Sequence, residues 1–584
     1  MNVKHITMSR CFFLAVLMVC FLQQAVAQPG KCGKGLQWSI SDSVLTITGN
    51  GPMDNMDPIG EVFTPWYNKR KDIKRIVISE GVTRIGSFAF MDCASLRDVS
   101  LPGSLKSIGN DAFARCTMLQ KIEIPFGVNE IGKWAFQDCS SLKEAFIQSA
   151  LTSLPTGMFS GCSSLRSVVL PAGLLEIGEF AFTYCPALEK AYFPSRLQRI
   201  GSHAFEFCTS LAAITIPSSL KVVGEYAFAG CDKLKTNIVF PEGFSDLQRG
   251  AFKECSAIRA ATFPSTLSYI GDDSFQLCRG LQTVTFSPGL VSVGHNAFRD
   301  CSLLKAIVLP EGVLDIKTNA FRGCSSMVRL VLPESLKRIM EWAFCGCITL
   351  TSVTVPDGVT IIEDGVFSFL TAVRKVTLSP NTTAICKHAF LSCPSLPEIN
   401  IPDGVTEIGF EAFKQCESLT NVRLPESLKV LGDGAFSTCH KMKTIHIPSS
   451  VSRLEKAAFI QCHALERVSI PASATEIPLW FLFNCHSLKE VLIPEGVTKL
   501  CGWAFSNTAI NTLTIPESIT EIDSCALSDI PKLDTLRVRW KQPLAVKANI
   551  FENTPMKNLS VPRGSAEAYR TAKIWKNFIN ISEY

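Results

Sequence analysis

Three histidines stand in register. Cys439-His440, Cys462-His463 and Cys485-His486 each place an imidazole directly after a cysteine, at intervals of 23 residues. Histidine is a common metal ligand, and three imidazoles with one open position make the donor set of a zinc site. Stacked about 5 Å apart on adjacent strands, His440, His463 and His486 could close on one ion. Elsewhere the same position holds Thr117, Ser140, Ser302 and Ser325, so it faces solvent at a turn. The simpler reading is repeat duplication that copied a histidine, and no metal or cofactor is assigned.

A second set of residues suits contact rather than catalysis. Phe146, Val169 and Tyr192 are also 23 residues apart. They occupy the outward position of an alternating Val-x-Leu pattern that otherwise holds mostly threonine and valine, as strand propensity favours. Two rings and an aliphatic group in one column form an exposed apolar patch, and such patches mark binding surfaces. The alternative is local packing next to the irregular unit around Gln148.

Enzyme chemistry finds no comparable support. The glycines fall at turns and form no phosphate-cradling cluster opening a helix. Neither H-E-x-x-H nor G-x-S-x-G occurs, and Asp and Glu scatter over variable positions.

The spacing of these residues comes from a repeat, which runs cleanly from Ala112 to Gly132. Ala112-Phe113, Cys116, Leu119, Ile122, Ile124-Pro125, Val128 and Ile131-Gly132 recur at Ala135-Phe136 and onward. Phe90, Phe113 and Phe136 begin a phenylalanine column that advances by 23 residues, with one step of 24 between Phe228 and Phe252. Leu482, Phe505 and Leu527 extend the column to 20 units. A fixed period of this length marks a stacked array in which no unit buries its own apolar face. The fold class is therefore a repeat solenoid with short parallel β-strands, single helical turns and capped ends. Within a unit, Val422-Arg423-Leu424 alternates as a strand does, and Pro425 ends it because proline cannot donate to a ladder. The A-F-x-x-C-x-x-L segment has apolar residues three or four apart, which predicts one turn of helix. Twenty rungs at about 4.8 Å would stack to roughly 95 Å.

The chain divides accordingly. Residues 1–27 read as a secretory signal peptide: Lys4 and Arg10 flank an apolar run from Cys11 to Leu22, followed by Ala25-Val26-Ala27. Residues 28–75 read as a β-hairpin cap, with Leu36, Trp38 and Ile40 alternating before the polar Ser41-Asp42-Ser43 and Leu45 and Ile47 alternating after it. Trp66 is expected to pack there. The array occupies 76–540. Residues 541–584 read as a degenerate last repeat followed by a helical cap, with Ser565 capping a helix that carries Tyr569, Ala572, Trp575 and Phe578 on one face.

Of 24 cysteines, 17 lie in one column of the repeat. Stacked side chains about 4.8 Å apart do not meet the 3.5–4.5 Å Cβ separation of a disulfide. Leu370 and Thr508 stand at the same position, so the column is read as buried free thiols. Cys501 and Cys525, off the column on adjacent rungs, are the one pair for which a bond is considered. The formal net charge is +5, and without Lys4 and Arg10 it is +3, from 55 basic and 52 acidic residues. There is no basic run interleaved with aromatics, which argues against nucleic acid. No run after the leader reaches the length of a transmembrane segment.

These motifs closely resemble the BspA-type leucine-rich repeats of bacterial surface proteins, especially secreted members from Bacteroides-like bacteria. The resemblance rests on I-G-x-x-A-F-x-x-C, on Cys32-Gly33, Gly49-Asn50-Gly51 and Pro65-Trp66, and on the ending Val561-Pro562-Arg563-Gly564-Ser565, Tyr569 and Trp575. It implies a right-handed, leucine-rich-repeat-like coil and a non-enzymatic, secreted or cell-surface binding protein, some relatives being adhesins for host matrix proteins such as fibronectin and fibrinogen. The alternatives are a glycan- or nutrient-associated accessory protein of the cell envelope, or a structural spacer.

Overall fold

Alternation decides the strands. In Lys121–Ile124 the side chains of Ile122 and Ile124 are buried and those of Lys121 and Glu123 exposed. The strand pairs in parallel and in register with Glu144–Ile147, setting Ile122 beside Ala145 and Glu123 beside Phe146. A second strand, two residues long in most units, follows, as Glu130–Ile131 does here, and it pairs in parallel with Ser107–Ile108 one unit back. Each rung therefore contributes to two parallel sheets. The computed structural model describes residues 30–57 and 61–584 of this solenoid, which has about 22 turns of about 23 residues. The expected signal peptide at 1–27 lies outside the described residues. The chain forms two compact units, one ending at Thr236 and the other beginning at Asn237.

In the first unit, Leu36–Ser41 and Val44–Gly49 form an antiparallel hairpin. Asp42 and Ser43, both with positive φ, make its two-residue turn. The hairpin's second strand pairs in parallel with Arg75–Ile78. It is thus itself the first rung, which helps to explain why there are more turns than 20 recognisable repeats. Trp66 lies between Trp38, edge-on at 5.8 Å, and Phe90, stacked at 5.6 Å. Its indole N–H donates to the Ala89 carbonyl at 3.0 Å.

In the second unit the last rungs are Thr535–Val538, Asn558–Val561 and Asn580–Glu583, paired in parallel. The expected long helix is not formed. An α-helix covers only Ala566–Thr571, Ala572 is extended, and a 3-10 turn runs over Trp575–Asn577. Tyr569, Trp575 and Phe578 are nevertheless all buried, and the Tyr569 hydroxyl donates to the Trp540 carbonyl. Ser565 holds the N-cap position without a side-chain bond. The Glu583 carboxylate instead accepts the Ala566 N–H at 2.9 Å, because the final strand brings that acid onto the helix start.

The A-F-x-x-C segment also departs from expectation: it is a chain of tight turns, not a turn of helix. Two residues per rung, one before the alanine and one before the cysteine, take the left-handed conformation, as Asp111 and Arg115 do in one rung and Trp134 and Asp138 in the next. This sends every second N–H along the stacking direction. Asp111, Phe113 and Arg115 donate to the carbonyls of Lys133, Ala135 and Gln137 at 2.7–2.9 Å. Left-handed backbone costs about 1–2 kcal/mol per residue. The inter-rung bonds offset that cost and leave these carbonyls satisfied.

The core consists of stacked columns. Phe113 lies over Phe136 at 5.2 Å with planes 5° apart, and Phe413 over Phe436 at 5.1 Å and 4°. The cysteine column does more than fill space. Fifteen of its thiols donate to the carbonyl of the phenylalanine 26 positions earlier, mostly at 3.2–3.3 Å, as Cys139 does to Phe113 and Cys462 to Phe436. Burial pushes the Cys139 and Cys462 thiols up to about 12. Thr508, at the same position, turns its hydroxyl to Phe505 of its own rung at 2.8 Å. Cys501 and Cys525 are both free.

Candidate binding surfaces

The outward column of the first unit places Phe146 directly beside Val169 in register. Tyr192 follows one rung later, just past the strand Lys190–Ala191. The three residues do not contribute equally. Phe146 is half-buried, and the Lys121 ammonium lies 5.0 Å from its ring centre. The same ammonium is held by Glu123 at 2.5 Å. Val169 and Tyr192 are 55% and 67% exposed. Tyr192 points outward because Phe193, next in the alternation, is buried against Phe205 at 5.5 Å.

His440, His463 and His486 are brought together, as a stack. Successive ring centres are 4.5 and 5.0 Å apart with planes 11° and 23° from parallel. Nδ1 of His440 bonds to the Gln461 carbonyl and Nδ1 of His486 to the Asn507 carbonyl, both at 3.0 Å. Parallel rings present faces, not converging nitrogens, to one another. Among the described residues no group of three histidine, cysteine or acidic side chains is placed to hold a metal ion. Burial, followed by the neighbouring His440 and His486, holds His463 below the ordinary histidine pKa.

Sequence reasoning missed an aromatic ridge on the turn side. In the first unit, Trp134, Phe180, His203 and Tyr226 occupy the left-handed position before the alanine. Trp134 and Phe180 are two rungs apart, yet their rings lie 6.0 Å from each other. The intervening residue is Gly157, where a Cβ would stand 1.8 Å from the Trp134 ring. Phe180, His203 and Tyr226 then stack at 4.7 and 5.4 Å. The second unit repeats the device, with Trp342 lying over Gly365 toward His388. Because the faces are taken up by neighbouring rings, the ridge offers mainly ring edges. The signal was present in the sequence as aromatics at multiples of 23 directly before the A-F pair.

This geometry, with a 23-residue rung, two parallel strands, and an A-F-x-x-C turn whose cysteine is buried, is matched by a family model. The BspA type leucine rich repeat region matches at 65–189, 175–305, 292–420, 406–534 and 458–572. The chain belongs to the BspA-type leucine-rich repeat family. Among solved structures, this family member is similar to a leucine-rich repeat protein from Bacteroides ovatus, with 24% identity over 72% of this chain and 94% of that one, at a TM-score of 0.47. It is also similar to a leucine rich cell surface protein from Faecalibacterium prausnitzii, with 26% identity over 60% of this chain and 95% of that one, at a TM-score of 0.37. No curated protein matches it. No helix among its described residues is long and apolar enough to cross a membrane.

Proposed function

We propose that this BspA-type protein is a non-catalytic, secreted or cell-surface binding protein, an adhesin that engages a host matrix protein or another macromolecule through the outward face of its strands. The observation that carries this reading is the exposed pair Val169 and Tyr192 on consecutive rungs of the first unit, with Phe146 and its Lys121 ammonium alongside. Exposed tyrosines set in an apolar patch are enriched among the residues that anchor interfaces. Family membership accords with display or release outside the cell.

The test is binding of residues 28–584 to immobilised fibronectin, fibrinogen and a glycan panel at physiological salt. Saturable binding to a matrix protein is expected, weakened at least tenfold by Val169→Ser with Tyr192→Ala, since loss of a hot spot costs about 1.4 kcal/mol or more. Undiminished affinity in that variant would overturn the role of Val169 and Tyr192, and no binding to any matrix protein would overturn the host-matrix assignment.

A further inference from the structure

In the second unit the sheet of longer strands is interrupted at several places, one of them between Lys375–Thr377 and Glu398–Asn400. The residue heading such a strand commonly donates its N–H to its counterpart one rung back, as Arg374 does to Thr351 at 2.8 Å and Thr420 to Pro397 at 3.0 Å. Pro397 has no N–H and cannot make that bond to Arg374. Two clefts open beside this break, of about 480 and 430 Å³, and Arg374 lines both.

Their chemistry is uniform. The first cleft carries Arg374, Lys375 and Arg423 against one acid, Glu398. The second carries Arg374 and Lys441 with the hydroxyls of Ser418 and Thr420, and no acid. Arg423 is paired with Asp403 at 3.3 Å. Arg374, Lys375 and Lys441 have neither an ion pair nor a side-chain hydrogen bond, and the amides of Asn400 and Asn421 are equally unengaged. The apolar lining residues Val376, Leu378 and Ile399 are buried, leaving no large apolar anchor exposed in either cleft.

We infer that these clefts form a binding site for an acidic polysaccharide, with Arg374 at its centre. Arg374 presents a planar fork of donors matched to carboxylate or sulfate. Lys375 and Lys441 supply further positive charge to either side. Asn400, Asn421, Ser418 and Thr420 both donate and accept, as a polyhydroxylated chain requires. An acidic protein partner would want an aromatic or aliphatic anchor pocket, which the clefts lack. Their volumes fall in the usual range for ligand sites, about 300–1,000 Å³. The site is separate from Val169 and Tyr192, so it stands or falls independently of the adhesin reading.

The experiment measures binding of residues 28–584 to polygalacturonate, chondroitin sulfate, neutral dextran and poly-glutamate. Binding to polygalacturonate or chondroitin sulfate is expected, weakened by raised salt and absent for dextran. Preference for one of the two distinguishes carboxylate from sulfate as the recognised group. Arg374→Ala should lower affinity at least tenfold and Lys441→Ala less, while Tyr192→Ala leaves it unchanged. Arg374 is exposed and has no ion pair or side-chain hydrogen bond to lose, so the urea midpoint should not move and misfolding is separable from lost binding. No binding to either acidic polysaccharide, equal binding by Arg374→Ala, or equally tight binding of poly-glutamate would each overturn the inference.

Discussion

Cys301 offers the sharpest test of how the rungs are held. Its thiol is buried and donates to the Phe275 carbonyl at 3.2 Å, and that carbonyl also receives the Cys278 N–H at 3.1 Å. Cys301→Ala removes one buried heavy atom, about 0.8 kcal/mol if counted as a methylene. It also removes a hydrogen bond that contributes about 0.5–1 kcal/mol. The expected loss is about 1.5 kcal/mol. Cys301→Ser removes the same sulfur but keeps a donor, so it should lose less, about 0.5–1 kcal/mol. Thr508 shows that a hydroxyl at this position finds a carbonyl. If the column were only apolar filling, the order would reverse, because an idle buried hydroxyl costs more than a methyl. Repeat arrays depart from two-state unfolding, so the assay is amide hydrogen exchange of the rungs around Phe275 and Cys301, supported by the urea midpoint. A serine variant clearly less stable than the alanine variant would refute the donor role.

Gly157→Ala should destabilise the first unit by about 2 kcal/mol, since alanine carries the left-handed penalty and its Cβ would meet the Trp134 ring at 1.8 Å. Thermal melting checks this, and adding Trp134→Ala should recover part of the loss. His463 should titrate below an ordinary histidine in an NMR pH series, and toward its ordinary value in His440→Ser/His486→Ser. Its folded pKa is depressed, so the unfolded chain takes up the proton first. The stack's contribution is intact above about pH 6.5 and is lost as pH falls from there through the folded pKa. A normal pKa for His463 in the intact stack would contradict this.

The strands, their proline stops and the buried columns were legible because period-two alternation and the 23-residue register are properties of side chains alone. The turn was not. Ala112, Phe113, Cys116 and Leu119 have the spacing of one helical turn, whereas alternate N–H groups, those of Asp111, Phe113 and Arg115, go to the next rung. Local spacing cannot report a partner 22 residues away, nor the thiol acceptors 26 residues back. The column of Phe146, Val169 and Tyr192 was placed correctly by register, but the Lys121 ammonium by Phe146 depends on a side-chain conformation. The histidine run was equally visible. Whether its rings converge or stack follows from how the solenoid orients them. Pro397 stands in the sequence where other rungs carry a residue with an N–H, but the clefts beside it and the unpaired Arg374 appear only once the rungs are stacked.

The turn-side bonds have a consequence for size. Asp111, Phe113 and Arg115 reach the next rung through main-chain atoms, and the thiol and phenyl columns ask only that the neighbour carry the same residues. Most rungs repeat the same internal contacts, whereas the hairpin around Trp66 and the closing strands around Trp575 are built differently. Length is therefore a free variable: whole rungs can be gained or lost by unequal recombination without redesigning a core. Single-residue changes have no such freedom, because a rung one residue out of step must absorb the difference in its own loop. A protein built this way can alter how far it reaches, and how many contact positions it displays, in increments of 23 residues at a time.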